Sequence, residues 1–412
     1  MYLKFAWRYF KAKKSANAIN IIAWVTVGVI AFATACQVLV LSVFNGFEDL
    51  VKSLYASFYT DLKVVPAKGK TFTLTSAQLS SIKQQQGVAA ISLIAEDKAL
   101  LKNESEQNSN SQTSIYLKGV DDNFINVSGV PDKVVQGKFN TGTIDEPGLI
   151  VGYGVQNAAD INIEGAFHAS IPTIFLPKKG VGPVSNLEQL LSEGNATATG
   201  VFMIQQEFDS KYVITNIDFA KQQLGYGPDE YTSLEIKTGN KADLKQTQQN
   251  LSKLLGTNYI VQTKFQQNTS LYSTLRLEKW FIYALLTLIL LIAAFNMLSA
   301  LTMLVLEKQK DINVLQSMGA NKKMIYQIFL SEGLLLGILG AASGIVLAII
   351  ICLLQMKYKL IKLQGGSFLI DYFPVKLQPQ DFVLVSLNVL IIAFLASWLP
   401  SRKAANQPME LR

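Results

Sequence analysis

One histidine, two cysteines and a charged fraction of only 16% leave this 412-residue chain short of the groups most enzymes work with. The single histidine, His168, rules out His-pair metal sites and leaves a Ser-His arrangement only one base. Its neighbours Ala166, Phe167 and Ala169 read as strand, so it reads as a strand residue rather than a base. Cys36 and Cys352 both lie inside apolar runs, so the polar part of the chain has no disulfide. No Walker-type glycine loop ending in Lys-Ser/Thr occurs, so a phosphate cradle of that kind is not expected. Asp145-Glu146 runs into Pro147-Gly148 and reads as a solvated turn, not an acid pair. If the protein does work, its energy comes from another chain.

What the chain has in abundance is apolar sequence: half of its residues are hydrophobic. Four uncharged stretches stand out, one between Lys14 and Glu48, then Trp280–Leu306, Gly333–Met356 and Phe382–Ser401. A bilayer core of about 30 Å takes about 20 residues of helix, and each stretch is long enough. Ala33-Thr34-Ala35-Cys36 resembles a signal-peptidase site. However, the apolar run continues through Val38, Leu39, Val40, Leu41 and Phe44, beyond the roughly 7–15 residues of a signal, so the helix is retained. The +7 formal charge comes largely from lysines and arginines flanking the spans. It points to anionic lipid headgroups and away from nucleic acid.

Lys4, Arg8, Lys11, Lys13 and Lys14 precede the first span with no acidic residue before Glu48, which predicts a cytoplasmic N-terminus. These five positives outweigh Lys357, Lys359, Lys362 and Lys376 in the last external connection. The expected order is a cytoplasmic amphipathic helix over 1–18, with Lys4, Arg8 and Lys11 on one face and Phe5, Tyr9 and Ala6 on another. Spans follow at 19–44, 280–306, 333–356 and 382–401. Residues 45–279 form an external domain, 307–332 a cytoplasmic segment, 357–381 an external loop and 402–412 a cytoplasmic tail carrying Arg402, Lys403 and Arg412.

The external domain reads as two arms of short strands and helices, hence a small α+β sheet. The first arm has strand Asp61–Pro66, helix Ser76–Gln86, and strands Val88–Leu101 and Thr113–Val120 joined through the polar tip Asn103–Ser111. The second has strand Lys211–Thr215, helix Ile217–Leu224, strand Thr232–Lys237, helix Lys241–Leu255 and strand Tyr259–Phe265. Between them, residues 129–208 are rich in Gly and Pro and predict a β-rich insertion. Within it, Pro177-Lys178-Lys179-Gly180-Val181-Gly182-Pro183 reads as a protruding loop bracketed by prolines.

The cytoplasmic connection carries the most information. Ile312, Leu315 and Met318 recur at helical spacing, with Glu307 and Asp311 beside them. Gly319 fits a helix C-cap, and Asn321, after Ala320, can cap the next helix. The segment reads as a short amphipathic helix, a peg for a soluble partner's groove or a helix lying on the headgroups.

Three stretches resemble a known family. Leu41-Ser42-Val43-Phe44-Asn45-Gly46-Phe47-Glu48 resembles the motif at the outer end of its first helix. The run from Val305-Leu306-Glu307-Lys308 to Leu315-Gln316-Ser317-Met318-Gly319-Ala320 resembles its coupling segment, and Ile328-Phe329-Leu330-Ser331-Glu332-Gly333 the start of its third helix. With the 1+3 layout, the chain resembles permease subunits of lipoprotein-releasing ABC transporters (the LolC/LolE type), within the wider MacB/FtsX-like permease family.

The resemblance implies an α-helical protein of the bacterial inner membrane, with four transmembrane helices and a large α+β periplasmic domain of two βα arms and a β-rich insertion. It implies a separate cytoplasmic ATPase that binds the ATP and Mg, no cofactor in this chain, and a second permease, a copy or a paralogue. A lipoprotein substrate and a periplasmic chaperone complete the partners. On this reading Glu307, Asp311, Ile312, Leu315, Met318, Gly319, Ala320 and Asn321 couple to the ATPase. Val40, Phe44, Phe47, Trp280 and Ile282 line the lipoprotein path, and Pro177–Pro183 corresponds in position to a chaperone hook. Gly333, Gly337, Gly340 and Gly344 form a small-residue stripe for close helix packing, within the chain or at a moving interface. A MacB-type efflux pump, which carries its own ATPase, an FtsX-type regulator of cell-wall hydrolases, which has a smaller outer domain, and a receptor without an ATPase are the alternatives.

Overall fold

The structure, a computed structural model, describes residues 17–104, 111–163, 169–178, 191–239, 242–363 and 372–407. The expected N-terminal amphipathic helix, His168 and most of the 177–183 loop lie outside the described residues. Two compact units divide the chain, one holding residues up to Leu50 and from Ser273 onward, the other Val51–Tyr272.

In chain order the helices are α1 (Asn17–Phe58), α2 (Ser76–Lys83), α3 (Tyr153–Ala159), α4 (Ile217–Leu224), α5 (Leu244–Leu255), α6 (Thr269–Glu307), α7 (Gln309–Ser317), α8 (Lys322–Tyr358) and α9 (Pro379–Ala405), apart from single turns. Four of them, α1, α6, α8 and α9, are long and apolar enough to cross a membrane. All four outrun their apolar stretches, α9 by about a turn at each end and the others further: α1 continues past Phe44 to Phe58, α6 starts at Thr269 and α8 at Lys322. Hydropathy marks where lipid surrounds a helix, not where the helix stops. No proline interrupts 45–58, 269–279 or 322–332, so hydrogen bonding simply propagates.

The helical unit buries Ile30, Val38 and Leu41 of α1, Leu290, Met297 and Leu301 of α6, Leu336 and Ala348 of α8, and Val385, Val389 and Ala393 of α9 in one cluster. Phe32, Phe281, Phe295 and Val383 are exposed. Lipid tails are as apolar as these side chains, so close packing and not water exclusion holds such helices together. The glycine stripe does this within the chain. A Cβ on Gly333 or Gly337 would collide with Ser397 or Ala393 of α9, and one on Gly340 or Gly344 with Ile30 or Thr34 of α1.

The second unit is built on strands β1 (Leu62–Pro66), β2 (Phe72–Thr73), β3 (Val88–Asn103), β4 (Ser111–Val120), β5 (Val134–Gly137), β6 (Gly148–Gly152), β7 (Thr173–Pro177), β8 (Leu191–Asn195), β9 (Thr197–Phe202), β10 (Tyr212–Asn216), β11 (Glu230–Tyr231), β12 (Ser233–Thr238) and β13 (Tyr259–Thr263). Eleven of them form one sheet in the order β13-β1-β12-β3-β4-β10-β6-β9-β5, with β7 on β3 and β8 on β7. The two arms therefore share a sheet: β1 of the first lies between β12 and β13 of the second, and β12 pairs with β3. The insertion continues that sheet through β6, β9 and β5. β4–β10 and β6–β9 are parallel, and β6 is buried throughout, as parallel strands covered on both faces are.

Local chemistry explains the helix starts. Thr75 and Gln78 make a capping box on α2, the Asn216 side chain accepts from Asp218 and Phe219 at α4, and Asp243 accepts from Lys245 and Gln246. The Asp243 cap starts α5 at Leu244, later than the Lys241 expected. Tyr55 and Phe58, the last turns of α1, pack on Phe208, with Phe58 and Phe208 stacked at 4.2 Å. Lys118 is buried beside them, 2.7 Å from Glu235 and 4.9 Å from the Phe58 ring centre. Its charge is both paired and covered by an aromatic face.

Candidate functional site

The α6–α8 connection is a small built object. Ala320 N–H donates to Leu315 O at 2.9 Å and Gly319 N–H to Gln316 O at 3.0 Å, a Schellman closure that needs Gly319 at φ +94°. The Asn321 side chain then accepts from Met324 N–H at 2.8 Å and starts α8. Ile312 is 1% exposed and packs with Leu304, Val305, Ile325, Phe329 and Ala404 of the same chain. Leu315 is half-buried, whereas Met318 is 79% and Val314 58% exposed. Glu307 is exposed, and Asp311 lies 3.1 Å from Lys308.

Ile312, Leu315 and Met318 do not share a face. Each helical residue turns about 100°, so steps of three drift backward by about 60° and leave Met318 about 120° from Ile312. Val314, one turn before Met318, shares its exposed face, and the i, i+4 spacing was the signal that could have found it. Ile312 anchors α7 to its own chain; Val314 and Met318 are presented outward.

At the other ends of the helices, Val40 is exposed, Phe44 and Phe47 are half-buried, and Phe47 meets Phe373 edge-on at 5.7 Å. Trp280 is 64% exposed with Tyr283 at 6.1 Å, and Ile282 packs partly buried against the helical core. Two crevices of the helical unit lie elsewhere, one beside Ile22, Leu301 and Leu336, the other beside Ile30, Met297 and Val389. Each offers about 10 Å³, room for at most one water. Val40 and Trp280 present surface, while Phe44, Phe47 and Ile282 are partly covered by their own chain.

A polar knot that sequence reasoning missed lies beside them. Asn45 is 1% exposed; its Nδ2 donates to Asp381 Oδ2 at 2.5 Å and its Oδ1 accepts from Lys279 Nζ at 2.8 Å. Lys279 Nζ stands 3.5 Å from Asp381 Oδ1 and donates to Gln378 Oε1 at 3.4 Å. Backbone atoms of Pro374 and Val375 occupy the place of a Cβ on Gly46, and Lys376 N–H donates to Ser42 O at 2.9 Å. Asn45-Gly46 in the first-helix motif thus has two separate tasks: the amide joins charges, and the glycine admits a neighbouring backbone.

Pro177 closes β7, opposite Leu191 of β8, so the 178–190 segment links two antiparallel strands. Pro177 and Lys178 are exposed, and Lys179–Pro183 lie outside the described residues. Among the described residues no group of three or more His, Cys, Asp or Glu could hold a metal. The shifted acids of the sheet unit have structural partners. Burial lifts Asp209 to about 6, although the N–H groups of Ile204 and Gln205 hold it down. Burial also raises Asp61, but Lys264 at 2.8 Å and the Thr238 N–H outweigh it and bring it below the usual carboxylate range.

A family profile for the MacB-like periplasmic core domain matches residues 23–254, and one for the FtsX-like permease C-terminal matches residues 283–409. The chain is 26% identical over 420 residues to the lipoprotein-releasing system transmembrane protein LolC of Neisseria meningitidis, covering 98% of this chain and 96% of that one. It is 26% identical over 429 residues to LolE of Haemophilus influenzae, covering 98% and 97%. The periplasmic region of MacB from Actinobacillus actinomycetemcomitans, a solved structure, is 12% identical, covers 54% of this chain and 98% of that one, and superposes with a TM-score of 0.37. With the two profiles spanning its sheet-forming and helical parts, the chain belongs to the MacB/FtsX-like permease family, and within it resembles LolC and LolE over nearly its whole length.

Proposed function

We propose that the chain is the permease subunit of an ABC transporter that uses ATP hydrolysis by a separate ATPase to extract lipoproteins from the inner membrane and pass them to a periplasmic chaperone. The observation that carries this reading is the alignment with LolC and LolE across 98% of the chain, which takes in the spans, the sheet-forming domain and the α6–α8 connection together. The basic residues before α1 support cytoplasmic termini and a periplasmic 45–279 domain.

On this reading α7 is the ATPase contact, with Val314 and Met318 outward, Leu315 at the edge and Ile312 holding the helix in place. ATP and Mg belong to the ATPase. Each buried CH₂ of an acyl chain costs about 0.8 kcal/mol to bring into water, so extraction needs an apolar shelter. A second permease, a copy or a paralogue, would complete that shelter against Val40, Phe44, Phe47, Trp280 and Ile282. The 177–183 segment, which begins at the end of β7, is the docking loop for the chaperone.

The test is reconstitution. The complex purified from membranes should contain an ATPase, and in proteoliposomes it should transfer acylated lipoprotein to a soluble chaperone only with ATP. Co-purification of a murein hydrolase or an outer-membrane channel, with no lipoprotein transfer, would replace this reading with the regulator or efflux one.

A further inference from the structure

We propose that Lys279, Asn45 and Asp381 are positioning residues that latch the ends of α6, α1 and α9 in the resting state, and that this latch opens as cargo is released. The inference rests on the release reading above and adds a regulated step to it.

Asn45 is oriented without ambiguity. Its NH₂ faces the Asp381 carboxylate and its carbonyl faces the Lys279 ammonium, and the flipped amide would set donor against donor and acceptor against acceptor. The amide therefore relays between opposite charges on two helices while belonging to a third. Elsewhere these helices meet mainly through small and aliphatic side chains, which favour closeness but little direction, with Asn388 Nδ2 donating to Thr287 Oγ1 at 2.9 Å and Tyr283 Oη to Leu384 O at 3.4 Å between α9 and α6. The knot adds charge to direction: if either charge moves, the other keeps the Asn45 amide but loses its counter-ion in a largely buried place.

The same knot is built to open. Asp381 and Asn45 are buried, but the Lys279 side chain is 30% exposed, so water can replace its partners as the helices part. A buried anion with a partly hydrated cation makes two discrete arrangements available, paired and solvated, which is what a two-state element requires. Its position suits release. Asn45 lies between Phe44 and Phe47 and Lys279 precedes Trp280, all at the proposed lipid path. Gly46 keeps the 374–376 backbone against α1, and Lys376 reaches Asp49 at 2.5 Å, so the segment leading into α9 moves with the latch.

The experiment uses the complete complex in proteoliposomes with Lys279→Met, Asp381→Asn, Lys279→Arg and the exchange Lys279→Asp with Asp381→Lys. Spin labels at the exposed Leu285 of α6 and Val383 of α9 report the latch directly. Without nucleotide, the unmodified complex should give one narrow distance, and Lys279→Met a broadened or lengthened one. Co-purification with the ATPase should persist in Lys279→Met and Asp381→Asn, while ATP-driven release falls about tenfold and ATP hydrolysis without cargo rises, a coupling loss of ordinary allosteric size. Lys279→Arg and the charge exchange should recover most of the release. Unchanged distances with unchanged coupling in both single variants would overturn the latch, as would a charge exchange no better than either single variant in a complex that still assembles. If the unmodified complex moves no lipoprotein, the functional reading fails, and the label distances still judge the latch.

Discussion

Replacing the outward side chains of α7 separates docking from folding. Met318 is 79% and Val314 58% exposed, so either can become aspartate with a change of about 0.5 kcal/mol or less in the stability of the free chain. Seated in an ATPase groove, an apolar side chain of this size contributes about 1.5–3 kcal/mol by burial. Loss of a central anchor of about 2 kcal/mol weakens binding about 30-fold, and a buried unpaired carboxylate adds to the loss. Ile312→Ala is the opposite perturbation. Ile312 is 1% exposed among Leu304, Val305, Ile325, Phe329 and Ala404, so the cavity costs about 2–5 kcal/mol of local packing. Leu315→Asp, at the half-buried edge, should lose the ATPase while leaving the spans inserted. The assay pairs thermal unfolding of the detergent-solubilised permease with titration by the purified ATPase. Met318→Asp and Val314→Asp should keep the melting temperature and lose affinity; Ile312→Ala should lower both. Unchanged ATPase affinity in Met318→Asp and Val314→Asp would show that this face rests on lipid and that coupling occurs elsewhere.

Cysteines placed by Ser111→Cys and Gln309→Cys, in a chain with Cys36 and Cys352 replaced by serine, should differ toward an impermeant maleimide in spheroplasts. Ser111→Cys should react and Gln309→Cys should not, and the reverse would invert the proposed topology. Asp209, held at about 6 in the folded state, lies above its unfolded value near 4, so the folded sheet takes up a proton more readily than the unfolded chain. Stability from this group should therefore rise as pH falls from 7 through about 6 toward 4, by up to about 3 kcal/mol, and Asp209→Asn should flatten that slope. Hydrogen exchange of the full-length protein, corrected for intrinsic rates, reads the difference at β9 and β10; identical slopes would refute it.

Sequence by itself determined what depends on neighbours a few residues apart. Apolar runs long enough for a bilayer placed four spans, the helix Ile217–Leu224 was legible with both its bounds, and Gly319 and Asn321 marked the two ends of the turn after α7. Tertiary structure decided the rest. A strand's alternation shows that it has a buried face but not which strand lies beside it, so two arms legible along the chain became interleaved members of one sheet. The spacing of Ile312, Leu315 and Met318 suggested a single apolar face, but Ile325, Phe329 and Ala404 take Ile312 into their own cluster and leave Val314 and Met318 outside. Asn45 in its motif carried no sign of its partners, because Lys279 and Asp381 are brought to it from 234 and 336 residues away. Capping and periodicity act over a single turn of chain, whereas helix packing alone decides which distant charges share a buried amide.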